Sequence, residues 1–272
     1  MIKNPFFNPE IEKNPQKEEF KSYPETKLEG APTTEPKKGF TSIIIPCFFN
    51  SYPVFHTTGN CIGSIREHTD KEKTPYEIIM IQNGETGIGF NQDNAKDSYA
   101  EKVIFNKENL GFAKAVNQGI RCAQGEYIAI VNNDVQVFNH WLEDMQEALQ
   151  FVDLIQAYPM YGMPYGRATE ANLLREKALE KSVEGSLDGF RDFSCVLTKK
   201  ELFAKVGLFD EQFFCYGEDL DMVRRIEKEG GKIASTKRVR THHIISMTAS
   251  GIMETPEIMN KSKELLKAKW GF

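Results

Sequence analysis

The chain has 272 residues, 40% apolar and 11% aromatic, enough for one large core, with a formal charge of −5 and an isoelectric point near 5.7. A weakly acidic chain offers no basic face to nucleic acid, so an anionic ligand must be held locally, by a metal or a helix N-terminus. Five scattered cysteines, Cys47, Cys61, Cys122, Cys195 and Cys215, form no C-x-x-C pair; this argues against a disulfide framework or structural zinc and for a reducing compartment.

Residues 1–38 hold six of the twelve prolines among Lys and Glu, a composition that builds no core of its own and reads as an extended arm or tether. The stretch MIKNPFFNPEIEKNPQ lacks the apolar centre of a signal peptide. No apolar run approaches the roughly 20 residues needed to cross a bilayer. The expectation is a cytoplasmic protein without a transmembrane segment.

From Phe40 the texture alternates. TSIIIPCFF predicts a buried strand, TGNCIGSIREHT a helix, YEIIMIQNG a second buried strand and KVIFNKENLGF a shorter third. FAKAVNQGIRCA predicts a helix, GEYIAIVNND a fourth strand and HWLEDMQEALQFV a helix. Such alternation implies an α/β domain with a parallel sheet and right-handed crossovers, in which ligands bind beyond the carboxyl ends of the strands. Three of the four strands end in polar or turn-forming residues: Asn50, then Gln82-Asn83-Gly84, then Asn132-Asn133-Asp134. The last cluster suits a turn when taken alone; at that edge it also faces a ligand.

Beyond Val152, DLIQAYPMYG predicts a strand leading to a loop, and NLLREKALEKSVEG is helical or mobile with a solvated charged face. FSCVLTKKELFAKVGLF predicts a strand and a short helix, GEDLDMVRRIEKEGG a helix, KIASTKRVRTHH a strand, and TPEIMNKSKELLKAKWGF a closing amphipathic helix. Glu218, Asp219 and Asp221 open one helix, either as capping and solvent-facing acids or as a general base or metal contact. His242 and His243 end a strand, where they are structural or ligands for a divalent ion. Phe209, Phe213, Phe214 and Tyr216 read as core or a substrate platform. Neither G-x-G-x-x-G nor a P-loop is present, which excludes dinucleotide redox chemistry and P-loop ATP hydrolysis.

The segments TSIIIPCFFN, IIMIQNG, NLGFAKAVNQGI, GEYIAIVNNDV, VGLFDEQFFCYGEDLDMVRRIEKEGGKI, the HH pair and the late KWG occur in this order. Together they resemble the inverting family 2 glycosyltransferases of GT-A fold, especially the rhamnosyltransferase-like branch, from about Thr41 to Gly271. The resemblance implies a GT-A domain over 39–272, with a mostly parallel central sheet flanked by helices. Its nucleotide-binding half would run to about 152 and its acceptor-binding half over 153–272, with 159–187 over the acceptor.

Asn132, Asn133 and Asp134 then occupy the place of the D-x-D element, with Asp134 as ligand of Mn²⁺ or Mg²⁺ on the diphosphate of a nucleotide sugar. Pro46, Phe48, Asn50, Gln82 and Asn83 would line the nucleoside pocket, and Asn109, Gly111 and Asn117 would shape loop and helix against it. Asp219 matches the catalytic base, and Glu218 and Asp221 would hold position or bind acceptor. His242 matches the metal-proximal histidine, with His243 as the alternative. One base without a second carboxylate as nucleophile implies inversion by single displacement. Two positions depart from the pattern: Gln82 stands where an Asp is usual, and Asn-Asn-Asp lacks the first acid of D-x-D.

The implied partners are a nucleotide-diphosphate sugar and a hydroxyl acceptor in glycan or polysaccharide synthesis, with no nucleic acid; peripheral membrane contact and self-association through the arm stay open. The alternative is a non-catalytic nucleotide- or glycan-binding protein on the same fold. A sugar nucleotidyltransferase would need a glycine-rich basic loop after the first strand, and PCFFNSYPVFH has none.

Overall fold

The structure is a computed structural model and describes residues 21–24, 35–84, 89–91, 95–161, 187–188, 192–244 and 256–271. Its strands are β1 (Lys21–Pro24), β2 (Lys37–Cys47), β3 (Tyr76–Asn83), β4 (Lys102–Asn106), β5 (Gly125–Val131), β6 (Val135–Gln136), β7 (Leu154–Tyr161), β8 (Leu187–Asp188), β9 (Cys195–Lys199) and β10 (Ile233–His243). Its helices are α1 (Tyr52–His68), α2 (Phe112–Cys122), α3 (Trp141–Ala148), α4 (Lys200–Val206), α5 (Glu218–Lys228) and α6 (Pro256–Trp270).

The strands form one sheet in the order β1-β4-β3-β2-β5-β9-β7-β10-β6, with β8 paired to β10. Every residue of β3 is buried, as expected for a central parallel strand covered on both faces. Side chains alternate between two cores. Ile43, Ile45, Met80 and Val131 pack with Trp141 and Leu142 on one face. Ile44, Ile79, Ile81 and Ile130 pack with Val116, Met222 and Ile226 on the other. Gly119 lets α2 lie close on the sheet, since a Cβ there would sit 2.5 Å from Ile44 Cγ2.

Pairing is parallel from β1 through β5 and between β7 and β10. The sheet is mostly parallel, as expected; β9 runs antiparallel to both β5 and β7, and β6 and β8 run antiparallel to β10. Because β9 reverses between them, β5, β7 and β10 share one direction. The carboxyl ends of β2, β3, β4, β5, β7 and β10 and the start of β9 therefore lie along one edge.

Helix α1 begins at Tyr52, earlier than TGNCIGS suggested, because Pro53 falls in its first turn, where a missing N–H costs nothing. Within the proline-rich arm, Lys21–Pro24 pair with Lys102–Phe105 and extend the sheet at its β4 edge. Most of 159–187, NLLREKALEKSVEG included, lies outside the described residues. Among the described residues no helix is long and apolar enough to cross a membrane.

Candidate active site

The end of β5 is a turn and more than a turn. Asn132 N–H donates to Ser194 O at 2.8 Å, and Val135 N–H returns to Asn132 O at 3.1 Å. Asn133 points back to α1, its Nδ2 donating to Thr58 Oγ1 at 2.9 Å. Asp134 is 4% exposed, and its Oδ1 lies 3.2 Å from His243 Nε2. The two histidines face opposite ways because strand side chains alternate. His242 Nδ1 lies 3.3 Å from Gln136 Oε1, so His243 is the histidine that meets Asp134. Burial disfavours charge on His243, but the hydrogen bond and charge of Asp134, with the charge of Asp192 beyond, outweigh it and hold the imidazole above its ordinary value.

The pair offers a cation two donors, Asp134 Oδ1 and His243 Nε2. Among the described residues no group of three or more His, Cys, Asp or Glu side chains is suited to a metal. A carboxylate and an imidazole suit Mn²⁺, and Mg²⁺ is ordinarily held by one or two carboxylates with phosphate oxygens and water completing the shell. Asn132 Oδ1 and, on the face opposite His243, His242 Nε2 are buried without a partner. The residues fit an ion that arrives with a diphosphate.

Of the positions expected at the nucleoside, Pro46 lies near the end of β2 and Phe48 and Asn50 just after it, all three half-buried. Gly84, at φ +123°, brings the chain against the Phe48 ring, where a Cβ would lie 3.0 Å from Cε2. Gln82 is 2% exposed; its Nε2 donates to Gly84 O at 2.8 Å and its Oε1 lies 3.6 Å from Cys47 Sγ. Asn83 is scaffold. Its Oδ1 accepts from Asn106 Nδ2 and Leu110 N at 3.0 Å each, and its Nδ2 donates to Asn109 Oδ1 and Gly111 O. Asn106 in turn exchanges two 2.8 Å bonds with Gln118. Sequence reasoning missed Asn106 and Gln118; the polar ending of the third strand was the available signal.

The acids stand on a loop stapled from two sides. Asn117 exchanges bonds with the backbone of Phe209 at 2.9 and 3.0 Å and donates to Glu211. Phe112 N–H donates to Phe214 O at 2.8 Å. Gly111 permits that approach, for a Cβ there would sit 2.2 Å from Phe214 O. From the other side Lys269 reaches Asp210 at 2.6 Å. Tyr216 and Gly217 then take consecutive left-handed conformations, φ +64° and +94°, and launch α5. A non-glycine residue held this way marks strain of the kind found at functional sites.

The three acids of α5 have different surroundings. Asp221 is fully buried and taken up by Arg225 Nε (2.9 Å), Lys269 Nζ (2.7 Å) and Trp270 Nε1 (3.0 Å). Of the two roles expected for it, these bonds accord with holding position: Asp221 clamps α5 to α6, and the late KWG segment is the other jaw. Glu218 is buried with Oε2 unpartnered; burial first, then the charge of Asp219, push its carboxyl up to about 8. Asp219 is half-buried and accepts Leu220 N–H at 2.7 Å. Burial raises it, that hydrogen bond lowers it, and the charge of Asp192 adds to the rise, so the net shift is upward.

Asp192 was not among the candidates. Its Oδ1 accepts Gln156 Nε2 at 2.9 Å and Ser194 N–H at 2.8 Å. An acid just ahead of a buried strand was the signal in RDFSCVL.

The fold resembles that of GalNAc-T7, solved with UDP, GalNAc and Mn²⁺, at a TM-score of 0.56 and 16% identity over 75% of this chain and 44% of that one. It also resembles TarS of S. aureus at a TM-score of 0.58 and 14% identity, over 84% and 39%. These likenesses establish the GT-A fold. An uncharacterized glycosyltransferase of Haemophilus influenzae is 33% identical over 120 residues, and one of Rickettsia bellii 25% identical over 167. The chain spans 35% and 23% of the length of these two relatives. The model of glycosyl transferase family 2 matches residues 42–207, more than half of the sequence, and the chain belongs to that family.

Proposed function

We propose that the protein is an inverting glycosyltransferase that moves a sugar from a nucleoside diphosphate sugar to a hydroxyl acceptor. One observation carries this reading: a buried Asp134–His243 pair and the half-buried Asp219, raised in its proton affinity, stand on elements that end at the same sheet edge.

Asp219 takes the proton of the acceptor hydroxyl as that oxygen bonds to the anomeric carbon. The bond from that carbon to the diphosphate breaks, and its electron pair leaves with the nucleoside diphosphate. An Asp raised above the usual carboxylate range is a stronger base than an ordinary one. Glu218 stays largely protonated at pH 7, so the two adjacent acids are not charged together. Its neutral form can donate to the substrate. Asp134 and His243 would hold Mn²⁺ or Mg²⁺, which when bound supplies positive charge opposite the diphosphate. Phe48, Pro46 and Asn50 wall the nucleoside, and the buried Gln82 fixes the Gly84 turn beside them. With one base and no second carboxylate as nucleophile, displacement is single and the configuration inverts. Glycan synthesis as the setting rests on the family.

Calorimetric titration of UDP-, dTDP- and GDP-sugars, with and without Mn²⁺, tests the site. One donor should bind only with metal and lose at least tenfold in affinity in Asp134→Ala. Metal-independent binding unaffected by that change would refute the assignment of Asp134.

A further inference from the structure

The acceptor side of the crevice contains a built polar site at the start of β9. Asp192 and Ser194 enter between the end of β5 and β7, joined to the Asn-Asn-Asp turn by the 2.8 Å bond from Asn132 N–H to Ser194 O. Gln156 Nε2 and Ser194 N–H both fix Asp192 Oδ1, so its carboxylate is oriented before any ligand arrives. Ser194 is 1% exposed, yet its Oγ has no partner, and neither has Oε2 of the buried Glu218. A buried hydroxyl without a partner pays its desolvation unrecovered until a ligand supplies one. Asp192 lies near enough for its charge to act on both Asp219 and His243.

We propose that Asp192 and Ser194 form the subsite that receives the acceptor, and that the acceptor there is an uncharged sugar with two neighbouring hydroxyls. This rests on the transferase reading. A pre-oriented carboxylate accepts from one hydroxyl, and the Ser194 hydroxyl both donates to and accepts from the next, a pattern that a vicinal diol satisfies and a single alcohol does not. A phosphate or uronate at that point would meet the carboxylates of Asp192 and Asp219, a repulsion that selects against anionic acceptors.

Saturation-transfer NMR on the full chain, with Mn²⁺ and UDP, dTDP or GDP, would use methyl glycosides of mannose, galactose, glucose and rhamnose as probes, and glucuronate as the charged control. At least one uncharged glycoside should bind the wild type and glucuronate should not. Asp192→Asn keeps an oxygen for the bonds from Gln156 Nε2 and Ser194 N–H, and Ser194→Ala removes a hydroxyl that has no hydrogen-bond partner among the described residues. Each should therefore melt like the wild type, bind nucleotide within twofold of it, and lose threefold or more in glycoside affinity. Unchanged glycoside binding in both variants would overturn the subsite, as would glucuronate binding equally well or nucleotide binding with no glycoside at all. Glycoside binding through Asp192 in a chain that binds no nucleotide would keep the subsite and overturn the transferase reading.

Discussion

Glu218, Asp219 and Asp221 look alike in the sequence and differ in what surrounds each carboxylate. Asp219 and Asp221, two residues apart on α5, face different sides of the helix, one toward the crevice edge and one into the α6 clamp. Asp221→Asn removes the charge that Arg225 and Lys269 both face, and should cost about 2–4 kcal/mol in urea unfolding, part of it screened because Lys269 is partly exposed. Glu218 behaves in the opposite sense. Its proton is held with a midpoint near 8 in the fold against 4.5 for a free side chain. Its contribution is thus fully present below pH 4.5 and is lost as pH rises through 8. Glu218→Gln should match the wild type in stability near pH 4.5 and exceed it at pH 8 by on the order of a few kcal/mol, read from urea melts at the two pH values. An equal difference at both would show that burial does not set its proton affinity.

At the scale of elements, the site depends on how α2 and α6 grip the loop at 209–217. The glycine of N-L-G-F is fixed by that grip: at φ +83°, with any Cβ falling 2.2 Å from the Phe214 carbonyl oxygen, no side chain fits. Gly111→Ala should destabilise by about 2–4 kcal/mol and also lower turnover, since Phe112 N–H would lose Phe214 O and the acids would shift. Unchanged turnover in a destabilised variant would separate the grip from the chemistry. The buried strands and amphipathic helices were legible in the sequence because their periods are local. The motif glycines and asparagines were legible as a pattern only, since what Asn83, Asn117 and Gly111 touch lies up to 103 positions away, at Phe214. The reversal of β9 was not legible, because FSCVL reads the same in either direction.

Over the whole molecule, the sheet order turns scattered polar strand ends into one crevice. A chain of net charge −5 has no general field for a nucleoside diphosphate, so in the proposed reading the attraction would come from an ion held locally by Asp134 and His243. That Asp134 stands at the carboxyl edge of the sheet was legible from the polar end of GEYIAIVNND. Which histidine it meets was not, because a one-residue change of register exchanges the faces of a strand. Asp192 escaped because its importance arises only where β9 passes between β5 and β7. The central claim is that Asp219 is the base at this edge. The most direct measurement is nucleoside diphosphate release from the bound donor, with Mn²⁺, in wild type and Asp219→Asn. The account predicts equal donor affinity, an unchanged melting temperature and release slowed about 10²–10⁴-fold; release at the wild-type rate in Asp219→Asn would contradict it.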